Sequence, residues 1–183
     1  MPRIPELDIA KLSPEQRGVH DTIVAGPRGK VEGPLKVWLQ SPEFAVRAQE
    51  LGTHCRFNSG LPPRLSELAI LLTGAYWKAG FEWWAHAPIA LKAGLAPEAV
   101  EAIRVGRKPV FERTDEAAVH AFASELIRNR RVSDTTYRLA VAELGLTGVV
   151  DLVGILGYYA LISMTIVAFE VPLPQGAADP FAV

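Results

Sequence analysis

Residues 61–106 read LPPRLSELAILLTGAYWKAGFEWWAHAPIALKAGLAPEAVEAIRVG. Apolar residues recur here at intervals of three and four, the period of a helix with one buried face, and no part of the stretch alternates as a half-buried strand does. Pro62 and Pro63 suit a first helical turn, where a missing N–H costs nothing. Gly80 breaks the run, Gly94 closes a second helix, and Pro97 opens a third. Only about two residues join the first two helices, so they are adjacent in space and their facing side chains meet.

The same periodicity extends in both directions and predicts an all-α chain. Ser13-Pro14 pairs an N-cap with a proline at the first helical position and starts a helix over 14–25, stopped by Gly26-Pro27. The next dozen residues, AGPRGKVEGPLK, read as a loop. Its glycines do not make a phosphate-binding loop, because Val31 follows Lys30 where Ser or Thr is needed and no strand precedes it. Ser41-Pro42 repeats the start signal for a helix to about residue 57. Further helices are expected over 97–106, about 115–130 and 131–145. The last, TGVVDLVGILGYYALISMTIVAF, carries one charge, Asp151, and is long enough to cross a bilayer. No Lys or Arg flanks it closely, and the amphipathic helices before it need a central partner, so residues 148–169 are expected inside the protein or at a subunit interface. The Pro/Gly/Ala-rich tail is expected to wrap a surface or a neighbouring subunit.

At 183 residues the chain is the size of one domain with its own core, spanning 1–183. Nineteen Lys and Arg against 20 Asp and Glu are interspersed and leave a formal charge of -1, so no basic field exists to hold a nucleic acid. One cysteine, Cys55, excludes an intrachain disulfide, a CxxC redox pair and a Cys-rich zinc site. The N-terminal residues lack an apolar signal segment, which makes the cytoplasm the expected location.

Candidate chemistry gathers on the two central helices. Glu82 and His86 are one turn apart on a face otherwise made of Ala85, Ile89 and Ala93, where desolvation shifts the proton affinities of both groups. Glu67, on the preceding helix, shares a face with Ile70, Leu71 and Gly74 and needs a partner such as His86, Arg64 or a ligand. Pro88 cannot donate to the carbonyl of Trp84, which leaves an acceptor one turn from His86. The single Glu-x-x-x-His differs from the repeated Glu-x-x-His of di-iron bundles, so no metal is expected. Trp77, Trp83 and Trp84 read as packing residues and Cys55 as a buried structural thiol. His20, His54 and His120 read as surface or hydrogen-bonded histidines, with His54 able to point toward the cavity of Glu67.

In its order of Glu in a Leu-rich helix, Glu-x-x-x-His 15 residues later, then Lys-Ala-Gly-Leu, the stretch 61–106 resembles the core of the carboxymuconolactone decarboxylase family, within the alkylhydroperoxidase-D-like superfamily. The flanking GPRGKVEGP, SPEFAVRAQ and GYYALISM look like the longer members. The resemblance implies an all-helical homo-oligomer, a trimer or hexamer, acting on a small molecule away from membranes. In the antioxidant branch a Glu, a CxxC pair and a His form a dithiol peroxidase. Glu67 and His86 match that pattern, but Ala79 and Glu82 stand where the thiols would be. The decarboxylase branch keeps the Glu-x-x-x-His that Glu82 and His86 match, and implies cofactor-free loss of carboxylate from a lactone. His86 is then expected to supply the proton and Glu82 to set its tautomer and charge. Arg56, Arg64 and Lys78 are the cations near in sequence that could hold substrate carboxylates.

Overall fold

A computed structural model describes residues 3–5 and 7–182 and is entirely helical, with no strand among the described residues. Eight helices follow in order: α1 Pro14–Ala25, α2 Pro34–Trp38, α3 Pro42–Thr53, α4 Pro63–Trp77, α5 Gly80–Lys92, α6 Pro97–Arg104, α7 Thr114–Asn129 and α8 Asp134–Phe169. Five of them, α1, α2, α3, α4 and α6, place proline in their first turn, as the sequence signals predict for a donor-free position. For α1 the expected cap is a full capping box, with Ser13 and Gln16 each accepting from the other's backbone N–H. By contrast, α5 starts on glycine and α7 on threonine.

The centre of the molecule is α4, which packs against α5, α7 and α8. Leu65, Leu68, Ala69, Ile70 and Leu71 are all but fully enclosed there, so α4 is a core helix on most of its circumference. Its end differs from the sequence expectation. The chain turns at Lys78, which adopts a left-handed conformation (φ 51°) while the Ala79 N–H donates to the Gly74 carbonyl, and Gly80 is already the first residue of α5.

Two other boundaries differ. The predicted loop before residue 37 contains the one-turn helix α2, tied to α8 by a buried hydrogen bond from Trp38 Nε1 to Thr165 Oγ1 at 3.0 Å. The helix predicted through residue 57 stops at Thr53 and continues as a π-helical turn over His54–Asn58. That wider turn buries Cys55 and carries Arg56 and Phe57 to the wall of a cavity that α5 and α8 also line.

Helix α8 is bent where two predicted helices meet, at Gly145, whose φ of 70° and ψ of 168° only glycine adopts without strain. Beyond the bend one face is core: Leu152, Ile155, Leu156, Tyr159 and Ile162 are buried. The opposite face exposes Leu146, Val150, Val153, Met164 and Val167, so half of the expectation for 148–169 is met within the chain itself. Among the described residues α8 is the one helix long and apolar enough to cross a membrane. The tail folds back on its own chain, where Phe181 packs edge-on against Trp83 and the Pro180 carbonyl accepts from Arg104.

Candidate active site

Antiparallel packing of α4 and α5 turns two sequence patterns into one cluster. Glu67 points from α4 and Glu82 and His86 from α5, and all three are at least 95% buried. His86 Nδ1 lies 2.7 Å from Glu67 Oε2 in good hydrogen-bond geometry. On the other side of the ring, Nε2 lies 3.0 Å from Glu82 Oε1. This second approach is an ion pair in distance only, because an i,i+4 carboxylate comes to the ring off the N–H direction, and Glu82 Oε1 has no hydrogen-bond partner. The imidazole edge rests on the ring of Tyr159 from α8, with centroids 5.3 Å apart and planes at 82°.

A neutral imidazole carries one N–H and could serve only one of these carboxylates as donor. Burial by itself would lower the proton affinity of His86. The Glu82 charge, the hydrogen bond to Glu67 and the Glu67 charge overcome it and push the pKa up to about 9. His86 is thus an imidazolium at neutral pH. Its charge balances one carboxylate of the two beside it.

Glu82 and His86 form part of the wall of a cavity of about 430 Å³. Phe81, Trp84, Pro88, Ile89 and Ile162 give it apolar sides, and Tyr158 and Tyr159 close it on the α8 side. Glu67 is not in this wall; it sits behind the imidazole. The geometry therefore gives the task of fixing the ring to Glu67, through Nδ1, whereas the sequence reading gave it to Glu82. Pro88, inside α5, lies on the same wall as Trp84.

Of the three cations expected near the site, Arg56 lines this cavity. Arg64 does not: it faces α7, where it donates to Asp115 at 2.7 Å and to Glu116. Lys78 lines a separate cavity beside α6 and α7, because the left-handed turn at its own position aims it away from α5. His54 pairs with Asp151 at 3.1 Å on the outside of the π-helical turn and does not reach Glu67. Cys55 is buried, and burial together with the Asp151 charge pushes its thiol pKa up. Sequence proximity missed Arg28, which comes to the cavity from the loop between α1 and α2. Among the described residues no group of His, Cys, Asp and Glu side chains is arranged to hold a metal ion.

No protein-family profile matches the sequence, and no curated protein does. Solved structures do match in fold. A peroxidase-related protein from Ralstonia eutropha JMP134, described as an alkylhydroperoxidase AhpD core, superposes with a TM-score of 0.76 at 15% identity, over 98% of this chain and 94% of that one. A peroxidase-related protein from Silicibacter sp. TM1040 gives 0.74 at 14% identity, over 95% and 92%. A protein of unknown function from Agrobacterium tumefaciens, proposed as an AhpD antioxidant-defence protein, gives 0.67 at 16% identity, over 78% and 99%. At such identities the likeness establishes the fold, which is AhpD-like, and leaves the chemistry to be argued from the site.

Proposed function

We propose that the protein is a cofactor-free acid/base enzyme of the decarboxylase type, with His86 as proton donor to a small carboxylated lactone or a related intermediate of aromatic breakdown. The observation that carries this reading is an imidazolium held between carboxylates from two helices at the wall of an open cavity. As the carbon–carbon bond to the departing carboxylate breaks, its electron pair enters an enolate or carbanion and carbon dioxide leaves. The Nε2 proton of His86 then passes to that carbon, and solvent returns a proton to the ring. Glu67 keeps Nδ1 protonated and the ring oriented throughout. Glu82, beside Nε2 and without a hydrogen-bond partner of its own, stabilises the charged ring and can relay the returning proton.

Two features set this reading above its rivals. A dithiol peroxidase needs a pair of reactive thiols, and the single Cys55 is buried with a raised pKa while Ala79 and Glu82 occupy the matching positions. A scaffold that had lost its chemistry would be free to fill the cavity, and this one is open. The outward stripe of α8, from Leu146 to Val167, supports a homo-oligomer, trimeric or hexameric, in which a second copy covers it.

The reading is tested by screening carboxylated lactones for release of carbon dioxide and for deuterium uptake from solvent at the vacated carbon. His86→Gln should abolish both while the far-ultraviolet spectrum of the fold persists. Turnover that survives in His86→Gln would overturn the proposal. Light scattering of the intact protein reports the oligomer, and a strictly monomeric chain would refute that part.

A further inference from the structure

Arg28 and Arg56 reach the cavity of His86 from different segments, and both guanidinium groups stack on one ring, Phe57, at 5.9 and 5.2 Å from its centroid. Among the described residues neither has a carboxylate within ion-pair distance. The two acids in the cavity wall are engaged elsewhere, Glu32 with Lys30 at 2.7 Å and Glu82 with His86 at 3.0 Å. Of the five N–H groups of Arg28, one meets an acceptor in the chain, from Nη2 to Tyr158 Oη at 3.2 Å. Its Nε is shut away from solvent with no partner at all. Two like charges gathered on one ring, half-buried and uncompensated, are unfavourable in the empty protein and favourable once an anion lies between them.

Tyr158 has the complementary feature. Its hydroxyl accepts from Arg28, and burial pushes its pKa up to about 12, so it keeps its own proton and can donate it. Gly52 makes the pair possible: a Cβ there would fall 2.0 Å from Tyr158 Oη and 2.4 Å from Arg28 Nη2. The Tyr159 ring lies between the two centres, 5.2 Å from the Tyr158 ring and 5.3 Å from His86. An anion held at Tyr158 is therefore about one aromatic ring away from the proton donor.

We infer that Arg28, Tyr158 and Arg56 form a seat for a carboxylate that the substrate keeps, separate from the carbon that His86 protonates. Its ligand is a small organic acid with a flat or apolar body, because Phe81, Trp84, Ile89 and Ile162 line the same cavity as the seat and His86. The inference rests on the proton-transfer reading only for the second half of that statement. Arg28 is the specificity-determining residue of the seat, since its guanidinium joins both other members, through Tyr158 Oη and the Phe57 ring.

Calorimetry with benzoate as probe and benzamide as its neutral isostere tests the seat without any turnover. Wild-type protein should bind benzoate at least about tenfold more tightly than benzamide, as a charge-assisted contact requires. Arg28→Gln should erase that preference while benzamide binding stays as it was. Arg28→Lys, which keeps the charge and loses the fork, should fall between, and Tyr158→Phe should weaken benzoate alone. A merely structural Arg28 would lower the melting temperature when replaced, whereas removal of an uncompensated guanidinium should leave it unchanged or raise it. Equal affinity for benzoate and benzamide, absence of benzoate binding, or an unchanged preference in Arg28→Gln would each overturn the seat. Activity that survives His86→Gln would instead overturn the proton-transfer reading and leave the seat standing.

Discussion

Two clusters of enclosed charge hang from α4, three residues apart in its sequence. In one, Arg64 meets Asp115 and Glu116 of α7; in the other, Glu67 meets His86 of α5, with Glu82 beyond it. The first is a closed lock. Its guanidinium forks between two acids, Arg113 adds a further contact to Asp115, and none of the three lines the cavity of His86. The second is left unfinished: one carboxylate oxygen lacks a hydrogen bond, and the imidazole borders a cavity. The cation makes the difference. A guanidinium holds its proton at every pH the protein meets, so its cluster can only hold helices together, while an imidazolium can give its proton away. Burial of charge thus marks a site only when the charge is labile and something can reach it.

The largest effect that would test this contrast is on turnover. His86→Gln should lower proton-transfer activity by about 10² to 10⁴-fold with little change in the folded structure, and Arg64→Met should leave turnover per folded molecule intact. Rates measured on both variants decide it; a comparable loss in Arg64→Met would erase the distinction between lock and site.

The next effect, on stability, should fall in the reverse order. Arg64→Met strands Asp115 and Glu116 together in a half-enclosed space and should cost about 3 kcal/mol in a denaturant titration, with Glu67→Gln costing less because His86 keeps Glu82. If Arg64→Met unfolded at the wild-type midpoint, the lock would hold nothing.

The two clusters should also lose their contributions at opposite ends of the pH scale. His86 is raised in the fold from 6.5 to about 9, so its contribution is complete below pH 6.5 and disappears as pH rises through about 9. Asp115 moves the other way: burial alone would raise it, but hydrogen bonds from Arg64 and Arg113 win and hold it at about 2. Its contribution is complete above pH 3.8 and is lost as pH falls through about 2. Stability measured against pH should show both limbs, with His86→Gln flattening the alkaline one and sparing the acid one. The smallest effect belongs to Cys55. Alkylating reagents should leave it untouched until the protein unfolds, and Cys55→Ala should not alter turnover; rapid labelling of the native thiol would contradict its burial.

Helices α4, α5 and α6, the proline starts of α4 and α6, and the convergence of Glu67, Glu82 and His86 were legible in residues 61–106. Three polar side chains on apolar faces, joined by a turn too short to separate them, can satisfy one another, and short-range chemistry is what a linear chain displays. Sequence could also tell that the chain has no thiol pair, since that is a matter of composition.

Tertiary structure decided everything that depends on which side of a helix meets which neighbour. Arg64 and Lys78 stand as near to Glu67 and Glu82 in the chain as Arg56 does, yet α7 claims the first and a left-handed turn diverts the second. Arg28, 58 residues before His86, arrives only because a glycine in α3 lets the loop before α2 close on Tyr158 of α8. Roles divided in the same way: spacing placed Glu82 beside His86, but α4 brings Glu67 to Nδ1 in line, and direction in a hydrogen bond is a property of three-dimensional approach that no spacing encodes.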